Sequence, residues 1–115
     1  MGSLDASNVI DVCISHGFVS AGITPANSTG YAPEFEHWLD EGKHGEMDWL
    51  NKNVLTRLDP CSLVPEAKSV ICVADRYSQL EISSTDPTKG IVARYARGKD
   101  YHKVMKKRLH NICDE

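Results

Sequence analysis

A chain of 115 residues with 41% hydrophobic and 25% charged residues has the balance of an ordinary globular protein, which excludes an intrinsically disordered one. That length suits one domain near the small end of the range, so the core it can build is modest. The formal net charge of −3 hides a split. Acids outnumber bases before Lys89, whereas eight of the thirteen Lys and Arg residues fall between Lys89 and Arg108.

At the start, Met1-Gly-Ser-Leu-Asp5 has no positive segment and no long apolar run behind it, so no signal peptide is read. No stretch approaches the roughly 20 apolar residues that cross a bilayer. A cytoplasmic protein without a membrane partner is expected. Val9, Ile10, Cys13 and Ile14 recur at helical spacing and predict a helix over 4–15, stopped by Gly17. A short strand is expected over 18–23, ended by Pro25, and then a loop over 27–30. Pro33 suits the first turn of a second helix that buries Phe35, Trp38 and Leu39 and ends at Gly42. Another short helix is expected over 44–50, and Pro60 and Pro65 bracket a helical turn.

Ser-Val-Ile-Cys-Val-Ala over 69–74 is the clearest buried strand, being rich in β-branched residues. A polar loop over 78–89 leads to a second firm strand over 90–95. Asp100 could cap the last helix, whose apolar face carries Tyr101, Val104, Met105, Leu109 and Ile112 with lysines opposite. The fold class is α/β (α+β mixed), with short strands flanked by helices. Three or four short strands offer little to cover that apolar face. Residues 1–115 are therefore expected to be a single incomplete domain, the opening segment of a larger one.

The four cysteines, at 13, 61, 72 and 113, form no CxxC pair, so no metal site is assigned. Cys13 and Cys72 are expected as buried free thiols. No nucleophile elbow, GxGxxG or Walker loop is present. What stands out is Ala93-Arg-Tyr-Ala-Arg-Gly-Lys-Asp-Tyr-His-Lys103, where an apolar run ends in a glycine turn followed by acid, phenol and imidazole. Polar groups grouped at an element's end are how many α/β enzymes carry their chemistry. Asp100 could serve as a cap or hold a carboxylate beside His102, Tyr101 reads as core, and the basic tract could face phosphate or simply solvent.

Four blocks then resemble a known family: His44-Gly-Glu-Met-Asp-Trp-Leu50, Arg57-Leu-Asp-Pro60, Leu63-Val-Pro-Glu-Ala-Lys-Ser-Val-Ile71, and the tract from Ala93 to Lys103. In order and spacing they look like the N-terminal region of epoxyqueuosine reductase. The resemblance implies a cytoplasmic, cobalamin-dependent iron–sulfur enzyme that reduces epoxyqueuosine to queuosine at the tRNA wobble position. It further implies an N-terminal cobalamin domain related to those of reductive dehalogenases, with two [4Fe–4S] clusters in a later ferredoxin-like domain. Carried over residue by residue, it places Arg57, Ala93 and Tyr101 at the corrinoid. Asp100 and His102 take supporting catalytic roles, and Arg94, Arg97, Lys99 and Lys103 face the tRNA backbone.

The sequence departs from the family pattern in four places. The Val-Asp-Thr-Gly-Pro type motif with the proton-donating aspartate is absent, as are the Ala-Gly-x-Gly-Trp block and the cluster-binding cysteine motifs. Asp75-Arg76 stands where a less charged pair is commoner. A truncated N-terminal portion, inactive without the missing C-terminal part, is therefore expected. The alternatives are a non-catalytic corrinoid-binding module and a small basic tRNA-contacting domain.

Overall fold

A computed structural model describes residues 5–77 and 86–115. The elements in chain order are α1 (Ala6–Ser15), β1 (Ser20–Pro25), α2 (Ala32–Asp40), α3 (Val54–Leu58), β2 (Ser69–Ala74) and α4 (Tyr101–Asp114). Single 3-10 turns stand at Asp48–Asn51, Pro60–Ser62 and Arg94–Ala96. The result is the expected mixture of α and β structure. Val19 N–H donates to Ala74 O and Ala26 N–H to Lys68 O, both at 3.0 Å, so β1 and β2 run antiparallel. The chain forms two compact units, Met1–Gly22 with Val73–Glu115 and Ile23–Cys72.

In the first unit both helices begin on an aspartate. Asp5 accepts from the Ser7 amide at 3.2 Å and Asp100 from the His102 amide at 3.0 Å, each satisfying a first-turn N–H that has no helical partner. α1 ends at Gly17, whose φ of +92° is a conformation that a side chain would strain. The buried centre is Cys13 and Phe18. Charged side chains close its rim. Arg108 of α4 donates to Asp75 at 2.7 Å and to Gly17 O at 3.5 Å, and its guanidinium stands 5.4 Å from the centre of the Phe18 ring. His16 and Glu115 join the ends of α1 and α4 at 2.7 Å.

The second unit is built differently. Ala26, Leu39, Leu58 and His44 are buried, and the Thr29 amide donates to Leu58 O at 2.8 Å. Pro33 opens α2 and a left-handed Asn53 precedes α3, with no side-chain cap bond on either helix. Cys61 donates its thiol to Ala26 O at 3.2 Å, fixing the turn at Pro60–Ser62. His44 Nε2 lies 2.7 Å from the Asn51 amide nitrogen, while its buried Nδ1 has no partner among the described residues.

Several expectations need correction. Residues 90–95 form no strand. The two-stranded sheet of the described residues contains only β1 and β2, and the backbone closes into the 3-10 turn at Arg94–Ala96 instead. β-branched content makes a strand only when a ladder is there to receive it. The helix expected over 44–50 is a turn followed by the 3-10 turn at Asp48–Asn51, because Gly45 at φ +59° breaks any helix begun at His44. α3 was not anticipated at all. β2 has the expected bounds but not the expected burial: only Val70 and Val73 are half-buried, Ile71 is 46% exposed, and Cys72 is an exposed thiol, unlike Cys13. A strand with a single neighbour and uncovered faces keeps its apolar side chains in water. Tyr101 is likewise exposed and not core. The proposed helix start at Leu4, and residues 78–85 of the expected polar loop, lie outside the described residues.

Candidate functional site

The glycine-turn tract is shaped by short local bonds. Arg97 Nε donates to Val92 O at 2.9 Å and the Ala96 amide to Ala93 O at 3.0 Å, which folds the chain over itself at Tyr95. Gly98 then takes φ +84°, a left-handed turn open to glycine at no steric cost, and delivers Asp100 to the start of α4. Asp100 Oδ1 accepts twice, from the His102 backbone amide and from His102 Nδ1 at 2.9 Å. The side-chain bond from His102, followed by its backbone bond, holds the Asp100 carboxyl below its ordinary value. An ionised carboxylate can only accept, so Nδ1 carries hydrogen and Nε2 is the nitrogen left for other chemistry.

Three tyrosines flank this pair. Tyr95 meets Tyr77 and Tyr101 edge to face, with ring centres 6.3 and 6.4 Å apart. The Tyr101 ring stacks on the His102 imidazole at 4.0 Å. With Ala74, Asp75 and Met105 these tyrosines line an open depression of about 500 Å3. Flat, apolar-faced rings with hydroxyl edges suit one wall of a site for a large planar group, and the depression is too open to enclose one. Ala93 lies one residue before the 3-10 turn, its carbonyl already accepting from Ala96.

The remaining candidates are distributed more widely. Arg57 belongs to the second unit, where it donates to Trp49 O at 3.1 Å and lines a separate depression of about 480 Å3 with Thr29, Tyr31, Phe35 and Leu50. Arg94, Lys99 and Lys103 are exposed, and Arg97 is half-buried. Among the described residues no group of three His, Cys, Asp or Glu side chains could hold a metal ion, and no helix is long and apolar enough to cross a membrane.

Sequence reading missed the Asp75–Arg108 pair. It grouped Arg108 with the solvated lysines, yet Arg108 sits four residues from both Val104 and Ile112, on the half-buried line of α4. A cation in an apolar row was the available signal. Its complement was the acid standing directly after β2.

A family described as "Epoxyqueuosine reductase QueG, DUF1730" matches residues 57–115, just over half of the chain. The chain belongs to this epoxyqueuosine reductase family. Its relatives include proteins named epoxyqueuosine reductase from Vibrio cholerae, 32% identical over 114 residues, and Salmonella typhimurium, 36% identical over 114 residues. Each alignment covers 96% of this chain, and 31% and 30% of the respective relative. The Escherichia coli epoxyqueuosine reductase is 38% identical over 100 residues. The chain thus spans 26% to 31% of the length of these relatives. No solved structure matches it significantly. Within the epoxyqueuosine reductase match lie Arg57, the whole tract from Ala93 to Lys103, and α4.

Proposed function

We propose that this chain is the N-terminal portion of an epoxyqueuosine reductase, an oxidoreductase of tRNA processing that works in the cytoplasm. The supporting observation is its alignment, over 96% of its length, with relatives that carry that name. Reducing an epoxide to an alkene takes up two electrons and two protons and releases the oxygen as water. Cobalamin, when bound, would supply reducing power at its cobalt, and [4Fe–4S] clusters outside this chain would deliver the electrons.

The chain's own residues would bind and orient. Tyr101 and the backbone at Ala93 would hold the edge of the corrinoid. Asp100, held ionised, is a poor proton source at neutral pH. Its part is to fix the His102 ring, so that Nε2 can accept or donate a hydrogen bond at the reacting group. The main proton donor would come from a part of the enzyme outside these 115 residues. Arg94, Lys99 and Lys103 would meet the tRNA backbone, positioning the substrate without reading its sequence.

A chimera tests this reading. The chain replaces the matching first third of Vibrio cholerae epoxyqueuosine reductase in a strain lacking the enzyme, and tRNA nucleosides are then analysed. Queuosine should reappear. A soluble chimera that leaves only epoxyqueuosine in tRNA would overturn the assignment. Asp100→Ala in the same chimera should lower turnover more than it lowers stability, and unchanged turnover would remove Asp100 from the site.

A further inference from the structure

Read along the chain, Asp75 and Arg76 look like a neutral pair of neighbours, at one of the places where the sequence departs from the family pattern. The structure separates them. Asp75 Oδ2 accepts from Arg108 Nη1 at 2.7 Å, and its Oδ1 accepts from the Arg76 backbone amide at 2.7 Å. Both carboxylate oxygens are engaged, and the cation that answers their charge comes from α4. The Arg76 side chain is exposed, and among the described residues no carboxylate stands within ion-pair distance of its guanidinium. A guanidinium keeps its charge in a protein, so this one is left to solvent or to a ligand.

Its place favours a ligand. Arg76 lines the depression of about 500 Å3 together with Tyr77, Tyr95, Tyr101 and Met105, all within the unit that carries the chain termini. With Asp75 answered by Arg108, Arg76 is the uncompensated charge of that lining. The wall therefore offers apolar ring faces and one planar cation. Rings of a ligand can lie against the tyrosines while the guanidinium fork meets two oxygens of a phosphate. The bond between Asp75 and the Arg76 amide steadies the backbone from which that side chain extends.

We propose that Arg76 is the anion-binding residue of the tyrosine-lined depression, and that it takes the phosphodiester in the nucleotide tail of the corrinoid. This rests on the reductase reading for the ligand being a corrinoid. RNA carries the same phosphodiester chemistry. The corrinoid is favoured because Tyr101, which that reading puts at the corrinoid edge, lines the same depression as Arg76. Asp75 and Arg108 then act as positioning residues: their pairing withdraws the carboxylate that would otherwise neutralise the guanidinium next to it.

The test compares cobalamin with cobinamide, the corrinoid that lacks the nucleotide tail and its phosphate. Each is dialysed to equilibrium against the purified, corrinoid-free chimera described above, and bound corrinoid is read from its visible absorption. The unsubstituted chimera should bind cobalamin more tightly than cobinamide. Arg76→Gln should shrink that ratio about fivefold, the upper range for an exposed ion pair, and leave cobinamide affinity unchanged. Arg76→Lys should keep part of the ratio, because an ammonium retains the charge but not the fork. Neither variant should move the urea midpoint, since the side chain is exposed. An unchanged ratio in Arg76→Gln, or an equal loss of affinity for both corrinoids, would overturn the proposal. Weakened binding of a tRNA transcript by Arg76→Gln with the ratio intact would overturn it too, in favour of an RNA phosphate. A chimera that makes queuosine while the ratio ignores Arg76 sinks only the Arg76 contact. A chimera that binds neither corrinoid and makes no queuosine sinks the reductase reading, and the contact with it.

Discussion

The two units hold their helices by different means. In the unit that carries the chain termini, α1 and α4 start on ionised aspartates, and side-chain charges reach across long sequence distances to close the rim. In the unit over Ile23–Cys72, α2 and α3 have no side-chain cap bond and lean on Leu39, Leu58 and Ala26. The unit with the candidate chemistry buries Phe18 but leaves Tyr77, Tyr95 and Tyr101 exposed, and charged side chains close its rim. Both tryptophans, Trp38 and Trp49, belong to the other unit. Tryptophan emission therefore reports one unit, and amide exchange in α4 reports the other.

The largest expected effect is that of Phe18→Ala. Phe18 is 2% exposed, and its removal should cost about 3–5 kcal/mol together with the Arg108 stacking contact. In urea, amide protection in α1 and α4 should fall well before tryptophan emission shifts. Leu58→Ala, costing about 2–5 kcal/mol, should reverse that order. Simultaneous loss of both signals in either variant would break the comparison.

Arg108→Ala should come next, at about 1.5–3 kcal/mol, because it leaves Oδ2 of the half-buried Asp75 carboxylate without its partner, Oδ1 keeping only the Arg76 amide. Arg108→Lys should recover only part of this, since one ammonium cannot serve Asp75, Gly17 O and the Phe18 ring together. Equal stability of the lysine and arginine forms, measured by urea midpoint, would show that charge alone matters there.

Acid should produce the smallest and most local change. Asp5 and Asp100 are both held below the ordinary carboxylate value, Asp5 chiefly by the Ser7 hydroxyl and Asp100 chiefly by the His102 ring. A depressed carboxyl contributes its stability above the unfolded value of about 3.9, and loses it as pH falls through the lower folded value. Below about pH 4 the first turns of α1 and α4 should fray while tryptophan emission holds. Tryptophan emission moving first would put the acid-sensitive groups in the wrong unit.

Local chemistry made much of this legible in the sequence. The bounds of β2 followed from its β-branched run, the start of α2 from Pro33, the cap of α4 from Asp100, and the turn at Pro60–Ser62 from the flanking prolines. Each depends on bonds or sterics within a few residues. The tract from Ala93 to Lys103 could likewise be singled out, because its glycine turn and its Asp–Tyr–His order are contiguous.

The tertiary structure decided what depends on distant partners. Residues 90–95 have strand composition but lie in no ladder, so their backbone turned at Arg94 instead. Burial of Cys13 and exposure of Cys72 could not be separated by composition, since both sit in apolar runs and only packing distinguishes them. The same holds for the cations. Eight similar charges in one tract look alike along the chain, and it is the contact with Asp75, thirty-three residues away, that sets Arg108 apart.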